Sequence, residues 1–125
     1  PNNVQEAIDL AYFLMKTDAT ARAERLLERA LRVTETMPRL GLFGYWLGDV
    51  KIYALRGQKE QALIALRQAA DDGWPVIVGY NAHLEPLKSD PEYQGIVAEM
   101  ESKLAAQLER VQEMEAGGEL APLPD

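Results

Sequence analysis

The spacing of small and apolar residues over its first seventy positions is what most constrains this chain. Ala23-x3-Leu27-x2-Ala30 returns as Ala62-x3-Leu66-x2-Ala69, an offset of 39 residues. Small residues at fixed places on one helix let it lie close against a neighbour, while the leucine between them fills the groove. Around both triplets apolar residues recur every three or four positions, the period of a helix with one buried face. Residues 4–16 present Val4, Ala7, Leu10, Ala11 and Leu14 on such a face. Thr17-Asp18 offers a cap for a second helix over roughly 19–36, with Ala23, Leu26, Leu27, Ala30 and Leu31 inward. A third helix, over about 42–56, carries Phe43, Trp46, Val50 and Tyr53 until Gly57 breaks it. The fourth, over about 58–71, turns Ala62, Leu63, Leu66 and Ala69 inward. The expected unit is two helical hairpins, 4–36 and 42–72.

That rhythm stops at "AADDGWPVIVGYN", residues 69–81. Gly73 stands where a helix ends most easily in a left-handed residue, and Pro75 forbids continuation. The β-branched run that follows has no second strand to pair with. Residues 73–89 are therefore expected to form a short helical turn or apolar plug, with Trp74 folding back on the fourth helix. Val76, Ile77, Val78, Tyr80 and Leu84 would cover the open end of the hairpins. Asp90 as cap, Pro91 at the first helical position and Glu92 near the positive pole then start a helix running to Ala116. At ~1.5 Å per residue it is about 39 Å long. Its first half offers Tyr93, Ile96, Val97 and Met100 to seal the hairpins, and residues 117–125 read as a flexible tail.

Trp46, Tyr53, Gly57, Ala62, Leu66 and Ala69 in the second hairpin, with Leu10, Ala11, Leu14, Ala23, Leu27 and Ala30 in the first, fall on signature places of a known repeat. The pattern resembles the tetratricopeptide repeat (TPR), whose unit is 34 residues. The five extra residues fit as an insertion around 37–42, and Asp49-Val50 stands where the family has a Leu-Gly-like pair. A narrower resemblance spans about residues 54–111. Gly73-Trp74, Asp90-Pro91-x-Tyr93 and Leu104-Ala105-x-Gln107 look like the end of TPR regions that follow catalytic or winged-helix DNA-binding domains in bacterial signalling proteins, nucleotide cyclases among them. The resemblance implies an all-α, TPR-like antiparallel helix-hairpin stack with a long C-terminal capping helix. It also implies a regulatory or assembly segment, not a catalyst. A chain that starts at Pro1 and not Met agrees with a piece of something longer.

Composition narrows the function classes. At 47% hydrophobic residues the 125-residue chain can bury a core, and with no cysteine it has neither a disulfide framework nor thiolate metal sites. No apolar run approaches the length of a membrane helix, so direct membrane insertion is not expected. Residues 1–89 carry eleven acids and eleven bases, whereas 90–125 carry nine acids against only Lys103 and Arg110. The net charge of −7 therefore sits wholly on the last segment, which argues against nucleic-acid binding there. Arg22, Arg25, Arg29 and Arg32 form a stripe on the second helix, but Glu24, Glu28 and Glu35 beside them make it a solvated, mixed-charge face.

Two sets of residues are candidates for function. In TPR stacks the first helix of each hairpin lines a concave groove; the resemblance places Ile8, Tyr12, Met15, Lys16, Leu47, Lys51 and Leu55 there, a mixed apolar and basic lining suited to an extended peptide or partner helix. Family members that clamp a chaperone's terminal carboxylate use a Lys/Asn/Arg set at these places; Ile8 and Tyr12 replace its first members, so that activity is not carried over. Along the last helix Val97, Met100, Leu104, Leu108, Val111 and Met114 approximate a heptad seam, blurred where Gln107 takes a seam place. Such a row is expected to be buried by a neighbour, on the same chain or in a second copy, with a homodimer favoured. The lone His83 has no second ligand spaced around it, and the adjacent Asp71-Asp72 point apart at a helix end, so neither metal nor acid–base chemistry is expected. No phosphate-binding glycine loop, Ser/His/Asp arrangement or cofactor signature is present. The expectation is a protein-interaction, scaffold or dimerisation module of a larger bacterial signalling protein, with the cytoplasm favoured over the periplasm. The alternative is a sensory domain whose groove binds a ligand and regulates an attached cyclase or DNA-binding domain.

Overall fold

Asn3 opens the first helix, its side-chain oxygen accepting the Glu6 amide at 3.1 Å. The computed structural model describes residues 3–37, 39, 47–73 and 82–118. Helix α1 covers Val4–Lys16, α2 Thr20–Thr34, α3 Gly48–Leu55, α4 Lys59–Asp71 and α5 Pro91–Ala116, with a 3₁₀ segment over Ala82–Leu87 between α4 and α5. Every regular element among the described residues is helical, so the fold is all-α. Expectations for Phe43, Trp46 and Trp74, and for Val76, Ile77, Val78 and Tyr80, lie outside the described residues.

The turn between α1 and α2 departs from expectation. Thr17 and Asp18 do not cap α2. Thr17 ends α1, its amide and hydroxyl both donating to the Leu14 carbonyl, and Asp18 takes φ 61° to reverse the chain. Ala19, which has no side-chain acceptor, stands at the head of α2. Short polar side chains tolerate the left-handed region, so Asp18 serves the turn and not the cap.

α2 folds back along α1, and the two bury Val4, Ile8, Ala11 and Leu14 against Ala23, Leu27 and Ala30. Leu10, expected inward, is exposed, and Ile8 takes its place in the core. At about 100° per residue Leu10 lies roughly 200° round from Ile8, so one helix cannot bury both on the same side. The second core gathers Val50 and Ala54 of α3, Ala62, Leu63, Leu66 and Ala69 of α4, Leu84 and Leu87 of the 3₁₀ segment, and Tyr93, Ile96 and Met100 of α5.

Helix α3 stands between the two cores, with Ile52 in the first and Val50 and Ala54 in the second. Polar contacts reinforce that junction: Arg56 at the end of α3 pairs with Glu24 of α2 at 2.5 Å. Arg39 holds Asp49 through two bonds of 2.8 and 2.6 Å, a bidentate pair shielded from solvent.

α5 begins as its sequence predicts. The Asp90 carboxylate accepts the amides of Glu92 and Tyr93 at 2.8 and 3.2 Å, and it also pairs with Lys59 of α4. The Lys59 contact first, then those amides, hold the Asp90 carboxyl below its ordinary 3.8. Because the folded value lies below the unfolded one, the stabilisation is full above about pH 3.8 and is lost as pH falls through the folded value. Asp90→Ala is expected to lower Tm by about 4 °C near neutrality. In thermal melts against pH, the gap between the two proteins should close below that range.

Candidate functional site

The C-terminal turn of α1 leaves Tyr12, Met15 and Lys16 facing Leu55, the last residue of α3. The 3₁₀ segment supplies the opposite wall through Ala82, Glu85 and Pro86, enclosing an open groove of 610 Å³. The wall is set by that segment's own pattern: Leu84 and Leu87 turn into the core, which leaves Glu85 and Pro86 outward. The Lys16 ammonium lies 5.3 Å from the centre of the Tyr12 ring, a cation–π distance. Glu85 is held by Lys88 at 2.8 Å, so the rim carries both signs of charge around an apolar floor.

Four of the seven residues expected to line a groove, Tyr12, Met15, Lys16 and Leu55, are brought together here. The other three are not available to a ligand. Ile8 and Leu47 are buried in the first and second cores respectively. Lys51, expected to line the groove, is only 3% exposed. It points between α1 and α3, where its ammonium donates to Gln5 Oε1 at 2.8 Å. Gln5 in turn donates to Asp9 at 2.9 Å, and His83 Nε2 meets the same Asp9 oxygen at 2.8 Å. The His83 ring also packs edge-on to Tyr12, with centres 4.8 Å apart. The chain of contacts ties α3, α1 and the 3₁₀ segment together behind the groove, so the lone histidine fastens the groove's far wall.

Burial pushes the Lys51 ammonium below its ordinary 10.5, and the Asp9 carboxylate only partly offsets this. A charge held under such a cost is replaceable. Lys51→Met keeps the stem, removes the buried charge and leaves an exposed Gln5 that water can satisfy. The variant is expected to be about 1 kcal/mol more stable at pH 7 by urea unfolding. A depressed folded pKa means the unfolded chain binds more protons just below 10.5, so native stability gains from Lys51 as pH rises toward that value. The advantage of Lys51→Met should therefore shrink between neutrality and about pH 10.

The second candidate surface lies on α5, and the structure divides the expected seam in two. Met100 is buried in the second core and Val97 packs against it. Leu104, Leu108 and Val111 are 42%, 58% and 42% exposed, and Met114 is half-buried. Glu99 sits at the division, bonded to Arg67 of α4 at 2.5 Å and to Lys103 at 3.3 Å. Arg67 first, then Lys103, hold its carboxyl below the usual range. Beyond that contact, residues 101–113 are all exposed.

Other apolar side chains are exposed at Phe13 of α1 and at Ile64 of α4, which sequence reasoning did not single out, and at Leu10, which it placed inward. The arginine stripe stands in solvent, with Arg32 paired to Glu28 at 3.3 Å. Among the described residues no three His or acidic side chains come together as metal ligands, and no helix is long and apolar enough to cross a membrane. Comparison with protein-family models, curated proteins and solved structures returns no match.

Proposed function

We propose that this chain is a protein-association module of the TPR-like helix-hairpin type, working within a larger bacterial signalling or regulatory protein. Its task is to present the outer half of α5 to another helix. One observation carries the proposal: Leu104, Leu108 and Val111, at spacings of four and three, form a continuous apolar row in solvent, on a helix whose inner half is anchored in the core. Each such side chain gains about 1.5–3 kcal/mol on full burial. Scattered exposed leucines need no explanation, but a helical stripe of them in line with buried Met100 does. The two helical hairpins serve as the base that fixes the direction in which the rod leaves the body. Sedimentation equilibrium of the chain tests this. A weight-average mass rising with concentration is expected, and a monomer at all concentrations up to the millimolar range would overturn it.

The groove supports a second contact. Its apolar floor with one cation beside an aromatic ring suits a short apolar peptide, or a ligand bearing a carboxylate near Lys16. That is also the place where the sensory alternative would act. A thermal shift lost on Tyr12→Ala would identify such a ligand.

A further inference from the structure

We infer that the surface receiving the outer half of α5 is the first hairpin of a second copy, at the side turned away from α3, and that two copies clasp each other reciprocally through this contact. The inference rests on the association proposed above and supplies its partner surface.

α4 runs parallel to α5, with Lys59 at Asp90 and Arg67 at Glu99, and it ends at Asp71. At equal rise it reaches about as far as Lys103, so the row of Leu104, Leu108 and Val111 extends past it.

The matching surface lies on α1 and α2. Glu24 of α2 pairs with Arg56 of α3, and Gln5 of α1 with Lys51 of α3, so these residues mark the side on which α3 packs. Leu26 lies about 200° round α2 from Glu24, and Ala7 about 200° round α1 from Gln5. On that far side Ala7, Leu26, Ala30 and Val33 line a cleft of 80 Å³, and Leu10, one turn on from Ala7, is exposed. A helix laid there repeats, on the outside of the hairpin, the contact that α3 makes on its inside. The lengths agree: α1 and α2 are about 20 and 23 Å long, and the outer half of α5 about 24 Å.

Charge matches the two surfaces. α2 carries four arginines and two glutamates, and residues 101–116 carry four acids and two bases. Ion pairing takes Glu24 to Arg56 and Glu28 to Arg32, leaving Arg22, Arg25 and Arg29 without an acidic partner among the described residues. Arg22 and Arg29 each stand about 40° round α2 from the apolar Leu26 and Val33. On α5, Glu101 stands about 60° from Leu104 and Glu115 about 40° from Val111, both on one side of the row. Lys103 and Arg110 are about 100° away on the other side. An apolar row with an acidic edge therefore meets an apolar cleft with a basic one.

The clasp closes on itself. The row is in line with Ile96 and Met100, which face α4, so it looks back along the stack, the direction in which the outer side of the first hairpin also looks. Two hairpin layers separate these surfaces in every copy. A two-fold axis that sets two stacks side by side and antiparallel lays each rod over the other's first hairpin, with the same two layers filling the gap in both. Such a contact stops at a dimer.

Charge reversal in the full chain tests this by sedimentation equilibrium in low salt, with circular dichroism to follow the fold. Arg22→Glu with Arg29→Glu, and separately Glu101→Lys with Glu115→Lys, are each expected to weaken self-association about tenfold or more. An equimolar mixture of the two double variants should pair again, because each rod then meets a hairpin of opposite charge, and the mass should level at two chains. If the arginine variant associates as tightly as the parent, or the lysine variant more tightly, as contact between two rods predicts, the inference is overturned while association through α5 stands. A mass climbing past two chains would overturn the reciprocal arrangement, and a parent chain that stays monomeric would overturn this inference together with the proposed function.

Discussion

Ile52→Ala is expected to lower the free energy of unfolding by about 3–4 kcal/mol, and to do so mainly by loosening the first hairpin from the rest. Ile52 is fully buried, and it is the residue of α3 that sits in the α1–α2 core. Deleting three carbons there leaves a cavity between two hairpins that each keep their internal contacts, so the site can collapse only by moving one hairpin against the other. Against a total of about 5–15 kcal/mol for a domain, that is a large fraction. In hydrogen exchange, α1 and α2 amides should lose more protection than those of α4. Val50→Ala, which empties space on the opposite side of the same helix, should cost about 2 kcal/mol and spread its effect to α4 and α5 instead. Equal loss of protection in both hairpins for both variants would show that α3 does not divide the molecule in this way.

Where a residue's role is local, its neighbours in the chain disclose it. Asp90 followed by Pro91 is one such case, and α5 starts there with both backbone contacts made. Gly73 is another: it follows α4 with φ 83°. Val4 to Lys16 could be bounded because an amphipathic run ended in a polar turn. Ile52 could not be read in the same way. α3 buries Val50, Lys51, Ile52 and Ala54 together, so its side chains show no single apolar face, and periodicity assigns no direction to a helix enclosed on two sides. Lys51 was harder still. An ammonium reads as surface until Gln5 and Asp9, more than forty residues earlier, are brought beside it. The groove shows the same boundary within one site. Tyr12, Met15, Lys16 and Leu55 stand where the resemblance to a helical repeat implies a groove, whereas Ala82, Glu85 and Pro86 arrive through the His83–Asp9 contact across 74 residues, for which no short-range signal exists.

Leu104→Asp combined with Val111→Asp is expected to weaken association by roughly a hundredfold or more, with no loss of the monomer's fold. A carboxylate at either place would have to shed water against hydrocarbon, and each dimer would carry four of them. The fold is spared because neither residue belongs to a buried core, and Asp90, Tyr93, Ile96 and Met100 fix the root of α5 without them. Melting temperature therefore separates the two effects. The parent chain should melt higher as concentration rises, since burial in the pair stabilises the native state by mass action. The double variant should melt at one temperature throughout, near the dilute limit of the parent. Ile64→Asp supplies the comparison. At 64% exposed it is more open to solvent than Leu104 or Val111, but it lies on α4 away from the row. If exposure alone drove association, Ile64→Asp would weaken it as much. If the outer half of α5 is the surface, that variant should associate like the parent, and equal losses at both sites would move the interface off the rod and onto the body.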